Sequence, residues 1–202
     1  MALYKLGFIY ETHLKDYPKA INFYKQLIYR RPNTQRLFEA QKRIATIEMD
    51  FLGEYEKAVE SWTALLSHFG KNPEVDFFQF QLAKAYLKAK KIEQARVEFT
   101  KLAKDYPQSK YRTRSELEFA KSFYVENDYQ RAEEEIKTFL KNYPHEIEAT
   151  EAKFYLAHVF EENDDLKGAV KIYQDLLHSY PDQNLIRFKL NRIEKRIQLR
   201  GR

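Results

Sequence analysis

The chain has 202 residues, 44% of them hydrophobic and 15% aromatic, which is too apolar for intrinsic disorder and long enough for a sizeable core in one or two domains. Five glycines and six prolines exclude a long linker or a collagen-like chain, and the lack of cysteine excludes disulfides, thiolate metal sites and cysteine nucleophiles. The net charge of +5 is uneven: residues 184 to 202 carry seven basic side chains against one acid, Glu194, so the rest sums to −1, and a near-neutral body weakens the nucleic-acid reading that a high pI invites.

The first ten residues, Met-Ala-Leu-Tyr-Lys-Leu-Gly-Phe-Ile-Tyr, have neither a basic n-region nor a small-residue cleavage site and read as the middle of a helix. No targeting segment is expected there, and no apolar run approaches the roughly 20 residues of a membrane span. Cytoplasm and periplasm both stay open, as does the chain being a piece of a longer protein.

From this point the sequence repeats itself. Ala20, Ala58, Ala95, Ala132 and Ala169 are 38, 37, 37 and 37 residues apart. Three residues before each stand Tyr17, Tyr55, Ile92, Tyr129 and Leu166. Four after each stand Tyr24, Trp62, Phe99, Ile136 and Tyr173, and seven after stand Leu27, Leu65, Leu102, Phe139 and Leu176. These offsets describe one face of an α-helix. A proline follows each such helix (Pro32, Pro73, Pro107, Pro144 and Pro181) and is a natural stop, because it lacks an N–H and disfavours helix in the residue before it. Upstream of each alanine a second helix is expected around a small residue, Gly7, Ala45, Ala83, Ala120 and Ala157, where two helices can approach closely. Asp128 and Asp165, in the polar turns between the two helices, are expected N-caps. The repeats run approximately over 1–33, 34–73, 74–109, 110–146 and 147–183. Ile186, Leu190, Ile193 and Ile197 then give residues 184–200 an apolar stripe, as for a helix that covers the last repeat.

This arrangement resembles the tetratricopeptide repeat, a helix–turn–helix of about 34 residues with small residues at the crossing and proline at the end. The first unit carries the match in Tyr4, Leu6-Gly7, Tyr10, Asp16-Tyr17, Ala20, Tyr24 and Pro32. The 37-residue period departs from the family, and that longer form, with Tyr106-Pro107-Gln108-Ser109, is similar to bacterial cell-envelope repeat proteins such as the outer-membrane assembly lipoproteins. The second unit is least regular, with Glu48 near a position usually aromatic. The resemblance implies an all-α fold: a single right-handed superhelical solenoid of about five helix pairs plus a C-terminal capping helix. Its concave surface would be lined by the first helix of each pair and would suit an extended segment or a helix of another protein.

Projected onto that pattern, Lys42, Arg43, Gln81, Lys84, Lys88, Arg114, Glu118, Lys121, Tyr124, Tyr155 and His158 face inward. Repeats two to four would then be mainly basic and the fifth acidic, at Glu151, Glu161 and Glu162. Two readings stay open: an ordinary solvated charged face, or a site for a partner segment with acidic residues. Tyr124 and Tyr155 are either groove anchors or inter-repeat packing. The paired Asn and Lys with which the co-chaperone branch of the family holds a peptide carboxylate are absent, so capture of chaperone C-termini is not expected. The last helix is a solvated cap, or presents Arg187, Lys189, Arg192, Lys195, Arg196 and Arg200 to an acidic partner, anionic lipid or nucleic acid.

No chemistry is legible. The histidines His13, His68, His145, His158 and His178 make no i, i+3 or i, i+4 pair. The glycines are isolated, so no loop cradles a phosphate, and no nucleophile elbow or triad order is present. The expectation is a non-enzymatic scaffold with no cofactor or metal, part of a bacterial envelope or motility assembly. Its partners would be proteins, nucleic acid is not expected, membrane contact would be peripheral, and self-association through the uncovered first helix stays open. The rival readings are an anionic-surface binder through the basic last helix, and a regulatory region of a larger protein.

Overall fold

The computed structural model describes residues 2–30 and 36–200, which form eleven α-helices and, among the described residues, no strand. In chain order they are α1 (Ala2–Thr12), α2 (Tyr17–Arg30), α3 (Leu37–Asp50), α4 (Tyr55–His68), α5 (Val75–Lys88), α6 (Ile92–Asp105), α7 (Arg112–Val125), α8 (Tyr129–Asn142), α9 (Glu148–Glu162), α10 (Leu166–Leu176) and α11 (Gln183–Arg200). Of the five stop prolines, Pro32 lies outside the described residues; Pro73, Pro107, Pro144 and Pro181 each follow a helix end. The chain divides into two compact units, Met1–Tyr106 and Pro107–Arg202.

Both units are built from the same hairpin, and its register is the reason. The five repeat alanines are fully buried, and four residues on, Tyr24, Trp62, Phe99, Ile136 and Tyr173 fill the space between the helices of each pair. Gly7, Ala45, Ala83, Ala120 and Ala157 are buried opposite them. At the first crossing the helices approach so closely that a Cβ on Gly7 would lie 2.6 Å from the Tyr24 ring.

Each pair is joined by the same turn. Lys15, Gly53, Lys90, Asn127 and Asp164 take positive φ, between 54° and 65°, at one register position five residues before the repeat alanine. That left-handed residue ends the first helix, and the next backbone N–H reaches back to it, as Glu54 N to Glu48 O at 2.8 Å and Asp128 N to Phe123 O at 2.9 Å. Asp128 and Asp165 cap the helices that follow, accepting from the Arg131 and Gly168 amides, as their place in the sequence predicts.

In the first unit two clusters make the core. One joins Ala20, Tyr24 and Leu27 to Ile44 and Ile47 of α3. The other joins Trp62 and Leu65 to Phe78 and Leu82 of α5. In the second unit, Ile136 and Phe139 pack with Leu117, Phe123 and Leu156, and Tyr173 and Leu176 pack with Ile186, Leu190 and Ile193 of α11. The apolar stripe of the last helix therefore does cover α10. Where the earlier first helices place their small residue, α11 places Glu194, which is exposed.

Candidate functional site

The first helices of successive pairs lie side by side within each unit, tied by side chains. In the first unit these are α1, α3 and α5. Arg43 of α3 reaches α1, with Nη1 2.9 Å from Glu11 Oε1 and Nε 3.0 Å from the Tyr4 hydroxyl, and its guanidinium lies over the Phe8 ring. Lys42 turns the other way, pairing with Glu74 ahead of α5 and lying 5.1 Å from the Phe77 centroid. Gln81 is 7% exposed, within the protein. Lys84 and Lys88, one turn apart on α5, have no carboxylate partner among the described residues; Lys84 Nζ lies 5.7 Å from the Phe80 centroid, and Lys88 is exposed.

In the second unit the facing helices are α7, α9 and α11. Arg114 and Lys121 of α7 are both held by carboxylates: Arg114 by Glu118 at 2.7 Å and by Glu151, Lys121 by Glu118 at 3.0 Å and Glu151 at 2.7 Å. Burial opposes the charge on Lys121, but Glu118 and Glu151 outweigh it and hold its pKa above the usual lysine value. Glu151 is the mirror case: burial opposes its charge, and Lys121 and Arg114 still hold its carboxyl below the usual glutamate range. Two cations and two anions close on themselves, so this part of the face is neutral.

Beside them lies an aromatic cluster. Tyr124 meets Tyr155 edge-on at 5.7 Å, and the His158 ring lies 6.1 Å from Tyr124 and 4.6 Å from Phe154. Nδ1 of His158 is 3.5 Å from the Tyr124 hydroxyl, whereas Nε2 is buried without a hydrogen-bond partner among the described residues. Burial, reinforced by the Lys189 charge, pushes His158 down to about 4, so the imidazole is neutral at physiological pH.

The acids read into the fifth repeat divide. Glu162 is exposed. Glu161 is buried and accepts a 2.6 Å hydrogen bond from the Tyr173 hydroxyl, with Arg192 and Lys189 of α11 as its counter-ions. Burial opposes its charge, yet Tyr173 and Arg192 hold its carboxyl below the usual range. Asp164, in the α9–α10 turn, pairs with Arg200 at 2.5 Å and Arg196 at 3.6 Å. Four of the six basic residues read as a surface on the last helix thus face carboxylates of the same unit. Arg187 lies 3.5 Å from the Asn184 side chain, and Lys195 is exposed. The sequence reading did not single out the partners Glu11 and Glu74, and placed Glu161 in the groove rather than buried against α11. The repeat register carries the signal for two of them: Glu11 and Glu161 both stand four residues after the small residue, and Arg43 and Arg192 both two residues before the corresponding place on the next first helix.

Solved structures share this fold. A tetratricopeptide repeat protein from Parabacteroides merdae superposes with a TM-score of 0.72 at 16% identity, over 95% of this chain and 71% of its own. A thermophilic TPR protein of Thermus thermophilus gives 0.58 at 18% identity, covering 95% and 97%. A chain of the Naa15/Naa10 complex bound to HypK-THB gives 0.69 at 20% identity, but this chain spans only 28% of it. No curated protein sequence matches significantly. Residues 1–34 match the tetratricopeptide repeat family, and residues 78–199, well over half of the chain, match the YfiO family, described as outer membrane lipoprotein.

The chain belongs to the YfiO family. Its fold is that of tetratricopeptide repeats, in general a scaffold for protein–protein interaction and typically without catalysis of its own. Within this YfiO-family chain, no described helix is long and apolar enough to cross a membrane.

Proposed function

We propose that this YfiO-family chain is a non-enzymatic adaptor in a bacterial envelope assembly, holding an acidic segment of another protein against the first-helix face of its first unit. The observation that carries this reading is the contrast among the candidate cations. Lys42, Arg43, Arg114 and Lys121 are each satisfied by a carboxylate of the same unit. Lys84 and Lys88 are not, among the described residues; Lys84 lies beside the Phe80 ring and Lys88 is exposed one turn on. Unpaired cations are where an acidic partner gains most, because no internal ion pair has to be broken. The family supports an envelope setting, and four of the six α11 cations already face Glu161 or Asp164, which leaves fewer of them for a lipid or nucleic acid.

The test is co-purification from the native cell with the wild-type chain, with Lys84→Glu/Lys88→Glu, and with Lys101→Glu/Lys104→Glu on α6 as an equal charge change at exposed positions. The α5 variant is expected to lose a salt-sensitive partner that the α6 variant keeps. Equal retention by both removes the reading.

A further inference from the structure

A pocket of about 620 Å³ opens on the first unit, lined by Tyr4, Lys5, Phe8, Ile9 and His13 of α1 and by Arg36 ahead of α3. That size is within the range of built ligand sites. Its walls are apolar and open to solvent: Phe8 and Ile9 are 37% and 41% exposed. Its charged groups are all of one sign. Lys5 and Arg36 contribute two positive charges, His13 adds an imidazole, and no carboxylate lines it among the described residues. Glu11, the acid on the same helix, is engaged by Arg43 and by the Tyr24 hydroxyl at 2.7 Å.

The walls are also held in place. Arg43, fixed by Glu11, accounts for both aromatic rings: its Nε donates to the Tyr4 hydroxyl, and its guanidinium lies 4.9 Å from the Phe8 centroid. Arg36 rests on the Tyr4 face at 4.5 Å and has no carboxylate partner among the described residues. A rigid apolar floor with unpaired cations at its edge favours binding, because little ordering is left to do when a ligand arrives.

We infer that this pocket is a second docking site, for a peptide segment that places one large apolar side chain among Tyr4, Phe8 and Ile9 and sets flanking acidic residues on Lys5 and Arg36. Charge complementarity selects the acidic character of the occupant, and the uncharged floor selects the apolar anchor. The inference rests on the reading of the chain as a protein-binding scaffold, but it uses none of the α5 residues.

The test is fluorescence anisotropy with the full chain and a labelled synthetic peptide of glutamates around one phenylalanine. Saturable binding is expected, weakened about tenfold when the phenylalanine is replaced by alanine, and about tenfold or more by Lys5→Glu/Arg36→Glu. Ile9→Lys adds positive charge to the pocket while filling its floor, at a position exposed enough to keep the fold. It is expected to lose binding despite the better charge. Binding that is unchanged or tighter in Ile9→Lys, or equal for the alanine peptide, shows surface electrostatics alone and overturns the inference, as does no binding by the wild type. Lys84→Glu/Lys88→Glu is expected to bind this peptide as the wild type does, so the α5 site and the pocket fail or stand separately.

Discussion

The Tyr173 hydroxyl donates a 2.6 Å hydrogen bond to the buried carboxylate of Glu161, thirty-one residues before the arginine that neutralises it, Arg192. The same trio recurs in the first unit as Tyr24, Glu11 and Arg43, so one polar joint locks a second helix, its own first helix and the next first helix together at two places in the chain. In the second repeat Trp62 takes the tyrosine's place, Met49 the glutamate's, and the indole N–H has no acceptor among the described residues. Tyr173→Phe removes one hydrogen bond and is expected to destabilise by about 1 to 2 kcal/mol. Glu161→Leu leaves Lys189 and Arg192 uncompensated and is expected to cost more, about 2 to 4 kcal/mol. Urea denaturation of the two variants checks the order; the reverse order removes the joint.

His158 supplies an acid-sensitive element. Its folded-state pKa of about 4 lies below the ordinary value of 6.5, so on acidification the unfolded chain takes up the proton first. Stability is full above pH 6.5 and falls as the pH drops towards 4, by up to about 3 kcal/mol over the whole interval. His158→Phe is expected to flatten the stability profile between pH 6.5 and 4.5. A profile with the same slope in both proteins counts against the assignment.

Glu48 works in the opposite sense. It is 3% exposed, and burial raises its pKa above 4.5 although the Ser61 hydroxyl, 2.5 Å away, pulls it back. The unfolded chain therefore releases this proton first, so the contribution to stability is full below pH 4.5 and is lost as the pH rises through the folded value. Glu48→Gln keeps an acceptor for Ser61 without the charge. It is expected to be more stable than the wild type at pH 7 and no more stable below pH 4.5. Thermal melts across that range decide it, and a wild type that is the more stable at pH 7 sinks the argument.

The five left-handed turn residues give a backbone prediction. Gly53 is the one glycine among them, and a Cβ there would meet nothing closer than 3.8 Å. The cost of Gly53→Ala is thus conformational, about 1 kcal/mol. Lys90→Gly relieves the same strain and is expected to be neutral or stabilising by up to about 1 kcal/mol. Chemical denaturation of the pair measures both signs; a destabilised Lys90→Gly contradicts the shared turn geometry.

The hairpins were legible because they depend on side-chain size at a fixed period. A small residue at each crossing and a large one four residues past each alanine leave one way for a pair to pack, so Ala20 to Ala169 and Tyr24 to Tyr173 could be assigned from spacing alone. The charged face was legible only by position. Sequence places Arg114 and Lys121 on the same face as Glu118 and Glu151 but does not say that the four close on each other, because pairing depends on the distance between helices that are thirty or more residues apart. Glu161 shows the same limit: read as a groove acid, it is buried beneath Tyr173. The pocket on α1 had no sequence signal, since its floor of Tyr4, Phe8 and Ile9 reads as ordinary helix pattern until Arg43 is seen holding the rings.

Glu194 occupies the place where the preceding first helices carry glycine or alanine. A graft that adds a further hairpin partner to α11, laid across it as closely as α10 lies across α9 at Ala157, would have to strip water from that carboxylate. Protein engineers wishing to lengthen this array would therefore begin by making position 194 alanine, and only then supply the new helix.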